Sequence, residues 1–243
     1  MHWVAASVVL VFLGILLRWI LKVGASRRPH QLSLSTPLGP AREDIYRPVA
    51  QEIVTQSAIL GISLNEALEE KAAGQTETAW RLVCLAVSEW DRLSHVLSSI
   101  IQVMAKHAGG SQVAVPAPTV LASRFKTRTM SDFVRIHELF NQLVFRSRLR
   151  FQLHLRLLRE ACKTLGAEFL RAYRRAEHTG HCPPELWEGL DHYFHDLDLL
   201  AKETLITFRT LLICLPTSRL DALASEVRTT IRRGARSTVN VAP

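Results

Sequence analysis

Hydrophobic residues recur every three or four positions along most of the chain, which is the period of an amphipathic α-helix. Between residues 80 and 104 the steps alternate between three and four, and neighbouring apolar residues widen this seam into a face suited to bundle packing. The same spacing continues from residue 131 to residue 178. The pattern predicts an all-α protein in which four or five helices form a bundle-like domain.

Glycine, proline and capping residues divide this pattern into segments. Residues 48–107 are predicted to form a helical hairpin, with a break at Gly61, a restart at a capping box that begins at Ser63, and a stop at Gly74. Residues 108–126 interrupt the periodicity with glycines and prolines. They are predicted to be a connection, either a crossover along the bundle or a loop over its surface.

The remaining segment, residues 127–234, is predicted to contain one long basic helix over 131–178 and two C-terminal helices. The first of these two opens at Pro183-Pro184 and ends at Pro216, and the second ends at Gly234. Residues 235–243 are predicted to be a loose tail.

An apolar run occupies residues 1–23, with no charged side chain between Val4 and Leu17. As a helix it would be roughly 30 Å long, enough to cross the hydrocarbon core of a bilayer. Basic residues follow the run, which predicts an outward N-terminus and a cytoplasmic domain on the plasma or inner membrane. The predicted interface residues are Trp3, Arg18, Trp19, Lys22, Arg27 and Arg28.

A cleaved signal peptide is the leading alternative interpretation of this run, since Val23-Gly24-Ala25 resembles a cleavage site. A buried core helix is a third, less favoured because apolar residues surround the helix on all sides. The anchor is favoured because a signal peptide carries its positive charge before the apolar stretch, not after it. Residues 24–47, punctuated by proline and serine, are predicted to be a tether between the anchor and the domain. The four cysteines form no CxxC pair, which suits reduced thiols in a cytosol.

The formal net charge of +8 arises in one segment. Residues 120–180 hold 13 basic and 5 acidic residues, and the remainder of the chain holds 17 of each. A basic helix face there would suit anionic lipid, and nucleic acid is the less favoured ligand because aromatic residues lie on the apolar side. A solvated helix face is the alternative. The residues predicted for this face are Arg146, Arg148, Arg150, Arg156, Arg159 and Lys163.

A group of histidines between residues 178 and 195 is the one candidate metal cluster that the sequence offers. Two of its members are three positions apart on a predicted helix, a spacing that can bring two imidazoles to one metal ion. A solvated polar face is the alternative interpretation. The candidate ligands are His178, His181, His192 and His195.

Motifs for phosphate loops, dinucleotide binding and serine nucleophiles are missing from the sequence, so no cofactor and no enzymatic activity is predicted. The favoured function is that of a single-pass, membrane-anchored interaction or scaffold protein that binds a protein partner or a second copy of itself through its helix faces. Lipid binding through the basic face and a metal-dependent enzyme or sensor are the alternatives.

Overall fold

The computed structural model describes residues 37–109, 128–142, 147–179 and 184–236, and these residues are almost entirely helical. The prediction of an all-α protein is confirmed. Six α-helices occur in the described residues, one more than the upper number predicted, and a short 3-10 turn, Thr217–Arg219, precedes the last of them. The helices are α1 (Pro40–Ala72), α2 (Thr76–His107), α3 (Arg128–Gln142), α4 (Ser147–Thr179), α5 (Pro184–Cys214) and α6 (Leu220–Arg236).

The hairpin of α1 and α2 turns at Gly74, as the sequence predicts. Gly74 has a φ of +84°, a left-handed conformation that costs glycine little because it has no Cβ. The amide of Gln75 donates to the Glu70 carbonyl at 2.9 Å, and the amide of Gly74 donates to the Lys71 carbonyl at 3.0 Å. These bonds satisfy the last carbonyls of α1 and let α2 fold back along it.

Four long helices pack around a common core, in the order α1, α2, α4, α5 and back to α1. Trp90 of α2 lies at its centre, stacked on Phe169 of α4 with the ring centroids 4.2 Å apart. Tyr193 of α5 meets the Trp90 ring edge-on at 6.3 Å. Aromatic contacts therefore join three of the four helices, and α6 covers the outer side of α1 and α2.

The prediction of one long helix over 131–178 is wrong. The chain forms α3 and α4 as separate helices, and α3 packs back against α4. The Thr129 hydroxyl donates to the Glu168 carboxylate at 2.8 Å, whereas a straight helix would hold these residues about 60 Å apart. The apolar spacing is continuous because each helix buries its own stripe, and the spacing does not reveal a reversal between them.

Two boundaries near α1 also differ from the sequence predictions. The tether was predicted to extend to residue 47, but α1 begins at Pro40, where a fixed φ and a missing amide suit the first helical position. No break occurs at Gly61, and the predicted capping box from Ser63 lies inside the continuous α1. Tertiary packing overrides these local signals because α1 buries its stripe along its whole length. At the other end, α6 continues past Gly234 to Arg236.

Arg42 ties the start of α1 to the end of α5. Its Nε donates to the Leu212 carbonyl at 2.7 Å and its Nη2 donates to the Leu215 carbonyl at 3.1 Å. Both carbonyls lie at a helix C-terminus, where a cation also complements the helix dipole. This side chain therefore caps α5 and closes one end of the bundle.

Replacing Arg42 by alanine should lower the free energy of unfolding by about 1–2 kcal/mol, because two charge-assisted hydrogen bonds to helix-terminal carbonyls are lost. Urea unfolding of the full chain in mild detergent, followed by circular dichroism, measures this change. Arg47→Ala is the matched control, since Arg47 is exposed and its ion pair with Glu43 is long, at 4.0 Å. Its effect should stay within about 0.5 kcal/mol. Equal losses from both variants would contradict the capping role.

Candidate functional site

The predicted basic face is partly visible on α4. Arg156, Arg159 and Lys163 lie exposed along one side of the helix, and Arg150 is half-buried. Arg146 and the side chain of Arg148 lie outside the described part of the chain. The predicted interface residues Trp3, Arg18, Trp19, Lys22, Arg27 and Arg28 also lie outside it, as does the whole predicted anchor. No helix within the described residues is both long and apolar enough to cross a membrane.

The candidate metal ligands are spread over two helices. His178 is exposed near the end of α4, whereas His192 is exposed and His195 half-buried on α5. His181 lies outside the described residues. Across the ranges that the structure describes, no three histidine, cysteine or acidic side chains come together in a way that would hold a metal ion. The metal hypothesis gains no support from these residues.

An open groove lies between α1 and α5. It has a volume of about 480 Å³. One wall is a single face of α1 and the other is a single face of α5. The residues that line it are Ile53, Val54, Ser57, Ala58, Gly61, Ile62, Asn65, Phe194, Asp198, Ala201, Lys202 and Leu205.

Apolar side chains in this groove are unusually exposed. Val54 is 58% exposed and Ile62 is 57% exposed, although both belong to a helix whose other face is deeply buried. Small residues such as Ala58 and Ala201 leave the space between the walls open. Lys202 and Asp198 pair with each other across one helical turn, so the charges in the groove are already neutralised. The groove is therefore suited to an apolar ligand surface.

Gly61 sets the distance between the two walls. A Cβ at this position would lie 2.9 Å from the Cζ atom of Phe194, so only glycine allows the ring to approach the α1 backbone this closely. Both residues line the groove. Gly61, which looked like a helix break in the sequence, is thus a packing residue in the wall of the groove.

A chain of buried polar side chains links α3, α4 and α5. Nδ1 of His154 lies 3.0 Å from Nδ1 of His137, and Nε2 of His154 lies 3.0 Å from the Thr207 hydroxyl. The Thr207 hydroxyl donates to the Glu203 backbone carbonyl at 2.8 Å. Because its single proton is used there, this hydroxyl accepts from His154 Nε2–H. Nδ1 of His154 then accepts from His137 Nδ1–H, so one tautomer of each imidazole satisfies the chain.

Burial disfavours the charged forms of His154 and Glu203. Desolvation, with a smaller contribution from the neighbouring His137, lowers the pKa of His154 to about 3. Desolvation also raises the pKa of the Glu203 carboxyl to about 7, and its Oε1 lies 3.9 Å from His154 Nε2. None of these buried side chains lines the groove between α1 and α5. The network instead joins α3, α4 and α5 in the interior of the described bundle.

The sequence did not reveal that His154 and Glu203 are buried near each other. A polar side chain among apolar neighbours gives no sign of whether it is buried with partners or exposed. The groove was missed as well, although Val54, Ala58 and Ile62 recur every four residues beside the buried stripe of α1. That second stripe was the signal that could have revealed it.

Comparison with known proteins adds no relatives. No protein-family model matches this chain, and no match was found among curated proteins or among solved structures.

Proposed function

We propose that this chain is a single-pass, membrane-anchored interaction protein whose bundle docks an amphipathic helix of a partner in the groove between α1 and α5. The observation that carries the proposal is the exposure of Val54 and Ile62 in a groove that neighbouring small residues keep open. Exposed apolar side chains that share one concave surface are typical of interaction sites, whereas singly exposed ones need no explanation.

The dimensions of the groove favour a helical ligand. Its α1 wall runs from Ile53 to Asn65, which is about 18 Å along the helix axis and matches roughly three turns of a docked helix. Helix-in-groove recognition places side chains spaced three and four apart into such a channel. An apolar stripe on the ligand would cover Val54 and Ile62, and polar residues at its edges would meet Asn65 and the Lys202–Asp198 pair.

The chemistry of the groove favours binding over catalysis. Its two charged residues, Asp198 and Lys202, form an ion pair with each other. His154 and Glu203, whose pKa values are shifted, do not line the groove. Nothing among the described residues of the groove pairs a nucleophile with a base. The membrane part of the proposal rests on the apolar run at residues 3–23 and on the basic residues after it.

Site-specific photo-crosslinking in native membranes tests the docking role. A benzophenone amino acid at Ile62 of the full chain should give a discrete adduct, because this position lies in the groove. The second substitution Ala58→Glu should abolish the adduct, since it places a charge in the channel. Ala222→Glu, at an exposed alanine of α6, is the matched control and should leave the adduct unchanged.

A second crosslinker position distinguishes docking in the groove from nonspecific association with exposed apolar residues. Leu85 of α2 is 64% exposed and does not line the groove. The same adduct from Leu85, or an adduct from Ile62 that persists with Ala58→Glu, would refute groove docking. Retention of the full chain in the membrane after an alkaline wash tests the anchor separately, and its extraction would refute that part alone.

A further inference from the structure

Four arginines on the outer face of α4 have no acidic partner among the described residues. Arg156, Arg159, Arg171 and Arg174 are all exposed, and none of them forms an ion pair with a described carboxylate. Arg47, Arg81 and Arg128 elsewhere in the described bundle differ, since each faces a carboxylate one turn away. The four unpaired guanidinium groups extend the basic face beyond the residues that the sequence analysis assigned to it.

These residues form a strip. At 100° per residue the four arginines fall within an arc of about 120°, and they cover roughly 27 Å along the helix axis. The buried face of α4, which includes Leu158, Leu165 and Phe169, lies on the opposite side. Lys163 lies within the strip but pairs with Glu160 at 3.3 Å. We call Arg156, Arg159, Arg171 and Arg174 the arginine strip.

The chemistry of the arginine strip fits an extended anionic surface. Guanidinium groups bind phosphate oxygens through paired N–H donors and stay charged at all physiological pH values. On the described part of α4, Phe151 and Phe169 are buried and Tyr173 stacks on Trp80 of α2, so the arginine strip itself carries no aromatic platform for nucleic acid bases. Two exposed carboxylates, Glu160 and Glu177, share this face of α4, but cations outnumber them. An exposed face with excess positive charge and no stacking groups is typical of contact with lipid headgroups.

We propose that the arginine strip binds an anionic lipid leaflet and thereby orients the bundle on the membrane. The proposal rests on the proposed membrane anchoring, which holds α4 close to a bilayer. In the packing order α1, α2, α4, α5, helix α4 is diagonal to α1. Contact through the outer face of α4 therefore leaves the groove between α1 and α5 turned away from the lipid and open to a partner.

Fluorescence of the full chain in lipid nanodiscs tests this orientation. A nitrobenzoxadiazole-bearing amino acid at Ala167, an exposed position within the strip, reports entry into the headgroup region. Its emission should shift to the blue in discs that contain phosphatidylserine, relative to phosphatidylcholine alone, and the shift should weaken at high salt. Each arginine at an anionic surface contributes about fivefold to binding. The triple change Arg156→Gln, Arg159→Gln and Arg174→Gln should therefore lower the ratio of docked to undocked protein by about 100-fold.

The matched control removes the same number of charges elsewhere, by Arg47→Gln, Arg81→Gln and Arg128→Gln, and should preserve the shift. An equal loss in both triple variants, or a shift that does not depend on phosphatidylserine, would overturn the proposal. A dye response to duplex RNA in neutral discs without any response to phosphatidylserine would overturn it in favour of nucleic acid. If an alkaline wash extracts the chain, the anchoring fails, and the same dye response on phosphatidylserine vesicles still decides whether the strip binds lipid.

Discussion

Replacing Glu203 by glutamine should raise the free energy of unfolding by about 2–3 kcal/mol near pH 8 and should leave it almost unchanged near pH 4. Glu203 is buried, and its Oε1 has no hydrogen-bond partner among the described residues. Burial raises its pKa from 4.5 to about 7, because the ionised form loses its hydration in the folded protein. Glutamine has nearly the same shape and never ionises, so the cost of burying a charge disappears.

The direction of the pH dependence of stability follows from the number of protons that the folded and unfolded states bind. Between pH 4.5 and pH 7 the unfolded chain releases the Glu203 proton while the folded chain retains it, so rising pH favours unfolding. Each pH unit in this window costs about 1.4 kcal/mol, and above it the loss is constant. His154 acts in the opposite direction, because its pKa of about 3 means that stability falls as pH drops below 6.5. In the wild-type chain the two effects nearly cancel between pH 4.5 and pH 6.5.

Urea unfolding of the wild-type chain and of the Glu203→Gln variant at a series of pH values measures the difference directly, and groups that titrate in both proteins cancel. Glu66→Gln is the matched control, because Glu66 is exposed on α1 and its replacement should change stability by less than about 0.5 kcal/mol at any pH. A Glu203→Gln variant that is destabilised near pH 8 would show that the ionised carboxylate contributes favourably to the fold.

Helix type and most inner faces were predictable from the sequence because burial of one stripe imposes the 3.6-residue period. Residues Val83, Trp90 and Leu97 of the seam in α2 are all buried, and the stop of α1 at Gly74 is where the sequence places it. These features depend on local chemistry, namely the period of apolar side chains and the conformational freedom of glycine. The sequence alone was sufficient for the turn between α1 and α2, but not for the continuity of α1 through Gly61.

Long-range geometry was not predictable in the same way. The reversal between α3 and α4 brings Thr129 to Glu168, and an apolar stripe has the same spacing whether one helix or two helices carry it. The buried chain through His154 and the groove beside Ile62 both depend on which helices become neighbours. The arginine strip was predictable in part, since its position on α4 follows from the helical period. Its lack of acidic partners depends on side-chain positions in the folded protein, which the sequence does not show.

Replacing Trp90 by alanine should lower the free energy of unfolding by about 3–5 kcal/mol, the largest loss expected from a single substitution in this bundle. Trp90 is fully buried, stacks on Phe169 at 4.2 Å and meets Tyr193 edge-on at 6.3 Å. Its removal leaves a cavity at the point where α2, α4 and α5 meet, and long helices cannot close around that space. Because domains of this kind have total stabilities of about 5–15 kcal/mol, the variant should be close to unfolding at physiological temperature.

Trp90→Phe separates the contribution of the packed ring from that of the indole nitrogen. The indole Nε1 of Trp90 is buried without a hydrogen-bond partner among the described residues, so phenylalanine removes an unsatisfied donor while keeping an aromatic ring against Phe169. Its cost should therefore stay below about 1.5 kcal/mol. Thermal and urea unfolding of the two variants beside the wild-type chain measure both losses. Equal losses in Trp90→Ala and Trp90→Phe would mean that the indole nitrogen, rather than the ring volume, stabilises the junction of the three helices.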